Sequence, residues 1–124
     1  MADTLYETIG GRLRIQAAVE LFYKKVFADE SLRHFFEGVD VQGLHARQSM
    51  FVSMLLGGKI VYTGKEIGAA HANSRMKGMN DVHFDMLLKH FRAALEEIGI
   101  LPEKIEKIMV LLEGTREAVL GRAK

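Results

Sequence analysis

GGKIVYTGKEIGAAHANSRMKGMN, residues 57–80, is the stretch on which the reading of this chain turns. It carries five glycines, at 57, 58, 64, 68 and 78, and its large apolar side chains are few: Ile60, Val61, Tyr62, Ile67, Met76 and Met79. Glycine loses the most backbone freedom on ordering and brings no side chain to bury, so the segment cannot pack well on its own. Weakly structured runs of this length inside a compact domain are uncommon, and are usually functional or disordered. A bound group that supplies the missing contacts would account for it.

Both flanks are strongly helical in pattern. Upstream, Thr4 followed by Glu7 has the form of a capping box and predicts a short helix stopped by Gly10 and Gly11. Ile15, Val19, Phe22 and Val26 then recur at helical spacing and predict a helix from about Arg12 to Ala28. A short segment with Leu32, Phe35 and Phe36 follows. A third helix is predicted from about Leu44 to Leu56, with Leu44, Gln48, Phe51 and Leu55 on one face; Gln48 is the polar member of an apolar row. Downstream, Phe84, Leu87, Leu88, Phe91, Leu95 and Ile98 predict a long helix over residues 81–98, ended by Gly99. Pro102 suits the first turn of a last helix running to about Leu120, with Ile105, Ile108, Met109, Leu112 and Val119 as its stripe. No strand alternation and no internal repeat occurs, so the expectation is one all-α domain over residues 1–124.

Composition removes several functions. Seventeen Lys and Arg against 16 Asp and Glu give a formal charge of +1, with no basic block of the kind nucleic acid requires. Cysteine is absent, which excludes disulfides, thiolate metal or haem ligation and cysteine nucleophiles. There is no run of 18 apolar residues and no leader pattern at MADTLYETIGG, so a soluble, unexported, cytoplasmic protein is expected, with no membrane span.

The order FYKKVFAD (22–29), HFFEGVD (34–40), a helix carrying Leu44, Gln48 and Phe51, then LLGG (55–58), YTG (62–64), AAH (69–71) and VHFD (82–85) resembles the group I truncated haemoglobins over essentially the whole chain. The resemblance implies a shortened globin, a two-over-two helical sandwich around haem b. It implies His71 as the proximal iron ligand, and a neutral imidazole suits that role chemically. Tyr23 and Gln48 are implied on the gas side, as hydrogen-bond donors to a bound diatomic molecule. Leu44 corresponds to the place of the distal histidine of many globins and can neither coordinate nor donate. Arg47 stands where some cyanobacterial relatives carry an internal sixth ligand, and a guanidinium does not ligate iron. The implied site is therefore five-coordinate or holds water.

Arg47 is further implied to pair with one haem propionate, unless it is simply a solvated arginine, and Tyr62 with the other. Phe36 matches the residue that wedges against the haem edge. Phe51, Ile67, Met76, Val82, Phe84, Leu88, Met109 and Leu112 are expected in the pocket wall, where they would also serve as core. His45, next to Leu44, should point along the helix, and His34, His83 and His90 should lie outside the coordination sphere, with His83 near enough for a propionate contact. The implied function is reversible binding of oxygen, with carbon monoxide and nitric oxide as further ligands. The alternative is oxidation of nitric oxide to nitrate by bound oxygen, which needs a reductase partner and a gas path, for which Phe51 and Val52 are candidates. A helical bundle without haem is the reading left if the resemblance is set aside.

Overall fold

The computed structural model describes residues 4–57, 67, 71 and 77–122. Every regular element among them is helical: α1 (Leu5–Thr8), α2 (Gly11–Ala28), a 3-10 helix (Arg33–Phe36), α3 (Val41–Leu55), α4 (Asp81–Glu97), α5 (Pro102–Glu113) and α6 (Arg116–Val119). Helix α2 is the hub. Its inward row Ile15, Val19, Phe22 and Val26 is buried, and it packs against α3 on one side and α4 on the other. Helix α5 backs α4 through Ile105, Ile108 and Leu112, all buried. The result is two helical pairs laid over one another, with Val19, Val26, Leu32, Ala94 and Ile108 fully enclosed. No helix among the described residues is long and apolar enough to cross a membrane.

The expected capping box at Thr4 is half made. The Thr4 hydroxyl accepts from the Glu7 amide at 3.2 Å, and the return bond from Glu7 is absent. What secures α1 is instead its seat on the end of α3. The Tyr6 amide donates to the Leu56 carbonyl at 2.9 Å, and Thr4 presses on Gly57. Gly57 has φ +119°, and a Cβ there would lie 2.6 Å from the Cβ of Thr4, so both backbone conformation and space require glycine.

The single last helix expected from the sequence is broken in two. At the break the Thr115 amide and hydroxyl both donate to the Leu112 carbonyl, at 3.0 and 2.7 Å, so side chain and main chain together close a turn where the helix would have continued. The apolar stripe resumes at Val119, which hid the break. Arg116, at the start of α6, bonds Glu113, Asp81 and Asp85 and lies 4.7 Å above the Phe84 ring, fastening α6 to the first turns of α4. That start of α4 is capped by Asn80, whose side chain accepts from the amides of Val82 and His83 while the His83 ring accepts from the Asn80 amide.

The C-terminal end of α2 is tied to α4 by Asp29. One carboxylate oxygen accepts from the Ser31 amide and hydroxyl at 3.0 and 2.6 Å, and the other accepts from Nε2 of His90 at 2.8 Å. The bond from His90 and those from Ser31 hold the Asp29 carboxyl at about 2, against an ordinary 3.8. A depressed carboxyl stabilises the fold above its unfolded value and ceases to do so as pH falls through the folded one. Asp29→Asn should therefore cost on the order of 1 kcal/mol at neutral pH, since solvent screens a site this close to the surface. It should also flatten the loss of stability between about pH 4 and about pH 2. Denaturant titrations of both proteins across that range check it.

Candidate functional site

Between α2, the 3-10 helix, α3, α4 and the α5–α6 corner lies a cavity of about 480 Å³, within the range of small-molecule and cofactor sites. Its wall is mostly apolar: Phe22, Phe35, Phe36, Val39, Leu44, Phe51, Ile67, Met79, Phe84, Leu87, Leu88, Phe91, Leu112 and Val119. Among the described residues, Tyr23, Arg47, Gln48, His71 and Thr115 join them. The Thr115 hydroxyl is committed to the Leu112 carbonyl.

On α3, Leu44, Arg47, Gln48 and Phe51 follow the three- and four-residue spacing that stacks side chains on one helix face, and all four reach the cavity. Gln48 is half-buried there, and Arg47 is exposed at the edge and makes no ion pair with any described residue. From α2 comes Tyr23, buried to 3 % exposure, with its ring held by Phe22, Phe27, Phe36 and His45. Its hydroxyl makes no hydrogen bond with any described residue. Burial pushes the phenol well above its ordinary value of 10.0, and the nearby Arg47 guanidinium opposes this more weakly. The group is a protonated donor throughout the neutral range.

His71 belongs to the chain between α3 and α4. Its Nδ1 lies 2.8 Å from the carbonyl oxygen of Ile67, four residues earlier. A carbonyl can only accept, so Nδ1 donates, and in the neutral ring Nε2 then carries the lone pair. That is the tautomer a metal requires, and a hydrogen bond at the other nitrogen is how ligating histidines are ordinarily oriented.

Of the residues expected at the site, Tyr23, Phe36, Leu44, Arg47, Gln48, Phe51, Ile67, His71, Phe84, Leu88 and Leu112 share this one cavity. Val82 does not: it is 64 % exposed, two residues before Phe84 and so about 200° round the helix from the inward face. Met109 is buried but lines a separate surface groove with Arg92 and Glu106, because it faces α4 across the α5 seam. Tyr62 and Met76 lie outside the described residues. Val52 is buried without being part of the cavity wall, and His83 is engaged in the cap of α4. Leu87, Phe91 and Val119 carried a signal, as inward members of their helical rows, and were not assigned to the site. Val39 and Thr115, which sit in a link and a helix break, had no periodic signal to find.

These residues fit a flat, largely apolar group that brings its own metal and some negative charge. They offer an imidazole, broad aromatic and aliphatic walls, and at the edge a guanidinium with no ion pair among the described residues. They do not fit a bare ion, since no cluster of three His, Asp or Glu exists among the described residues.

Comparison with known proteins agrees. Residues 4–120 match the family model described as bacterial-like globin. The chain is 41 % identical over 122 residues to a group 1 truncated haemoglobin of Tetrahymena pyriformis, covering 97 % of each. Among solved structures it resembles the 2/2 haemoglobin of a Synechococcus species in the cyanomet state with covalently attached haem, at a TM-score of 0.89 and 32 % identity, over 97 % of this chain and 100 % of that one. It also resembles the Fe(III) form of truncated haemoglobin from Tetrahymena pyriformis, at a TM-score of 0.84 and 38 % identity, over 95 % and 98 % of the two chains. Helical pairs enclosing such a cavity, and likenesses that run nearly end to end, place this chain in the bacterial-like globin family, among the two-over-two group 1 truncated haemoglobins whose cofactor is haem b.

Proposed function

We propose that the chain, acting as one domain in the cytoplasm, binds dioxygen reversibly at a five-coordinate haem held by His71, with Tyr23 and Gln48 as hydrogen-bond donors to the gas. Gas binding at haem is the property of the family; the residue roles are the reading made here. Haem b supplies a ferrous iron with one coordination position open to a diatomic molecule. The observation that carries the reading is the polar content of the cavity: an imidazole whose lone pair sits on Nε2, and a buried phenol whose hydroxyl has no partner among the described residues.

Each side chain then has a defined task. His71 presents Nε2 to the metal because Ile67 holds its other nitrogen. Tyr23 and Gln48 offer an O–H and an N–H from a mostly apolar wall, where such bonds are stronger than in solvent. Arg47 supplies the positive edge for a propionate. Leu44 keeps an internal ligand out, since an aliphatic chain cannot coordinate. Carbon monoxide and nitric oxide should compete at the same position. Oxidation of nitric oxide would require in addition a reductase and a path for the second gas. Val52, half of the path expected from the sequence, stands off the cavity wall, and binding without turnover is the reading we adopt.

The test is an absorption spectrum of the haem-loaded protein, oxidised, reduced, and reduced under carbon monoxide. An intense Soret band that shifts on reduction and again with carbon monoxide is the expected result. A six-coordinate low-spin spectrum of the reduced protein would refute the open position, and failure to take up haem would refute the whole assignment.

A further inference from the structure

Nε2 of His45 is a buried side-chain nitrogen with no hydrogen-bond partner among the described residues, and unlike the Tyr23 hydroxyl it does not belong to a residue that lines the cavity. Such an atom loses its water and gains nothing in return. A leucine would occupy a similar volume in the seam between α2 and α3 without that cost. The presence of a flat ring there in place of an aliphatic chain therefore calls for a reason other than filling space.

Its contact with Tyr23 supplies one. The two rings are stacked nearly parallel and offset, with centroids 5.2 Å apart and planes 17° from parallel. The other rings around Tyr23 meet it at steep or tilted angles: Phe22 at 62°, Phe36 at 77° and Phe27 at 38°. A phenol that turns about its own axis sweeps its faces, so the ring that most restricts the turn is the one lying on a face. The Tyr23 hydroxyl has no hydrogen bond to a described residue, and its oxygen lies on the turning axis, so what a turn changes is the direction of the O–H bond, which conjugation keeps in the ring plane. Hydrogen bonds weaken steeply as they depart from linearity.

We infer that His45 is a positioning residue: its ring, stacked on the phenol face, holds Tyr23 at the angle from which the hydroxyl meets the gas. The inference rests on Tyr23 being the donor proposed above. His45 does not line the cavity, so it acts through Tyr23.

The experiment uses haem-loaded protein carrying His45→Leu, His45→Ala or His45→Phe, each with and without Tyr23→Phe. Three quantities are read: the flipping rate of the Tyr23 ring by NMR of tyrosine-labelled carbon monoxide complexes, the infrared stretch of the bound carbon monoxide, and the oxygen dissociation rate. His45→Leu and His45→Ala should free the ring and move the stretch toward that of Tyr23→Phe. They should also speed oxygen release by roughly three- to tenfold, the range of a weakened hydrogen bond. His45→Phe, which keeps a flat ring and drops the nitrogen, should stay near the parent. The effects on stretch and rate should vanish when Tyr23 is already phenylalanine. His45→Leu is the volume control, expected to unfold at or above the parent's temperature.

A leucine variant with the parent's ring motion, stretch and rate would overturn the inference, leaving His45 as core, and so would failure of His45→Phe to preserve them. If Tyr23→Phe proves silent while His45→Leu still frees the ring, positioning stands and the donor role of Tyr23 falls.

Discussion

His71→Gly should abolish stable haem uptake, lowering haem affinity on the order of 100-fold or more. The scale follows from a weaker perturbation: removing only the outer hydrogen-bond partner of a ligating histidine typically costs roughly 10- to 100-fold in affinity, and here the ligand itself is lost. The remaining wall still buries a flat apolar group, so some weak association through Phe36, Phe51, Phe84 and Leu88 should persist. Glycine also leaves a space of the shape of the missing ring. Free imidazole added to the variant should therefore restore a five-coordinate spectrum on reduction. Titration of haem into both proteins, followed at the Soret band, checks the prediction. Full-strength uptake by His71→Gly with an unchanged spectrum would mean that another residue holds the iron.

Tyr23→Phe should accelerate oxygen release by roughly tenfold, which corresponds to one hydrogen bond of about 1.4 kcal/mol lost from a dry site. Carbon monoxide, a poorer acceptor, should be affected far less, so the ratio of the two dissociation rates separates hydrogen bonding from a mere change in cavity shape. A pH series adds a sign. Burial raises the phenol above its ordinary 10.0 more than Arg47 lowers it, so the parent should keep its slow release up to that pH, where an exposed tyrosine would already be losing its proton. Stopped-flow measurements at successive pH values read both effects. A release rate that climbs through the neutral range would show that some other group governs retention.

Where apolar spacing is uniform, the fold was legible. The rows Ile15, Val19, Phe22, Val26 and Phe84, Leu88, Phe91, Leu95 placed α2 and α4 to within one residue at each end, because burial of one face dictates the period. The same rule concealed the break at Thr115, since a stripe that resumes in register says nothing about a turn closed by a hydroxyl. It also cannot tell which side of a buried helix a cavity occupies: Met109 and Leu112 are both inward and line different spaces. Val82, also expected in the wall, lies about 200° round α4 from Phe84 and stands outside the described cavity, an angle that naming residues one by one does not take into account. The grouping of Tyr23, Gln48 and His71 came from the resemblance. Periodicity marked only Gln48, by its polarity within an apolar row, and no pattern pointed to the face-on pairing of His45 with Tyr23.

The atom that holds Nδ1 of His71 belongs to the main chain, and under the proposed ligation this bears on what kind of haem protein the chain can become. An amide oxygen is uncharged. It fixes the direction of the imidazole while drawing its proton only weakly, so the ring keeps the modest basicity that suits letting a gas go again. A carboxylate at the same point would lend the ring anionic character and favour cleavage of the gas over its release. Because every residue type at position 67 carries that same oxygen, substitutions there can reshape the cavity wall and leave the electronic setting of the metal as it was.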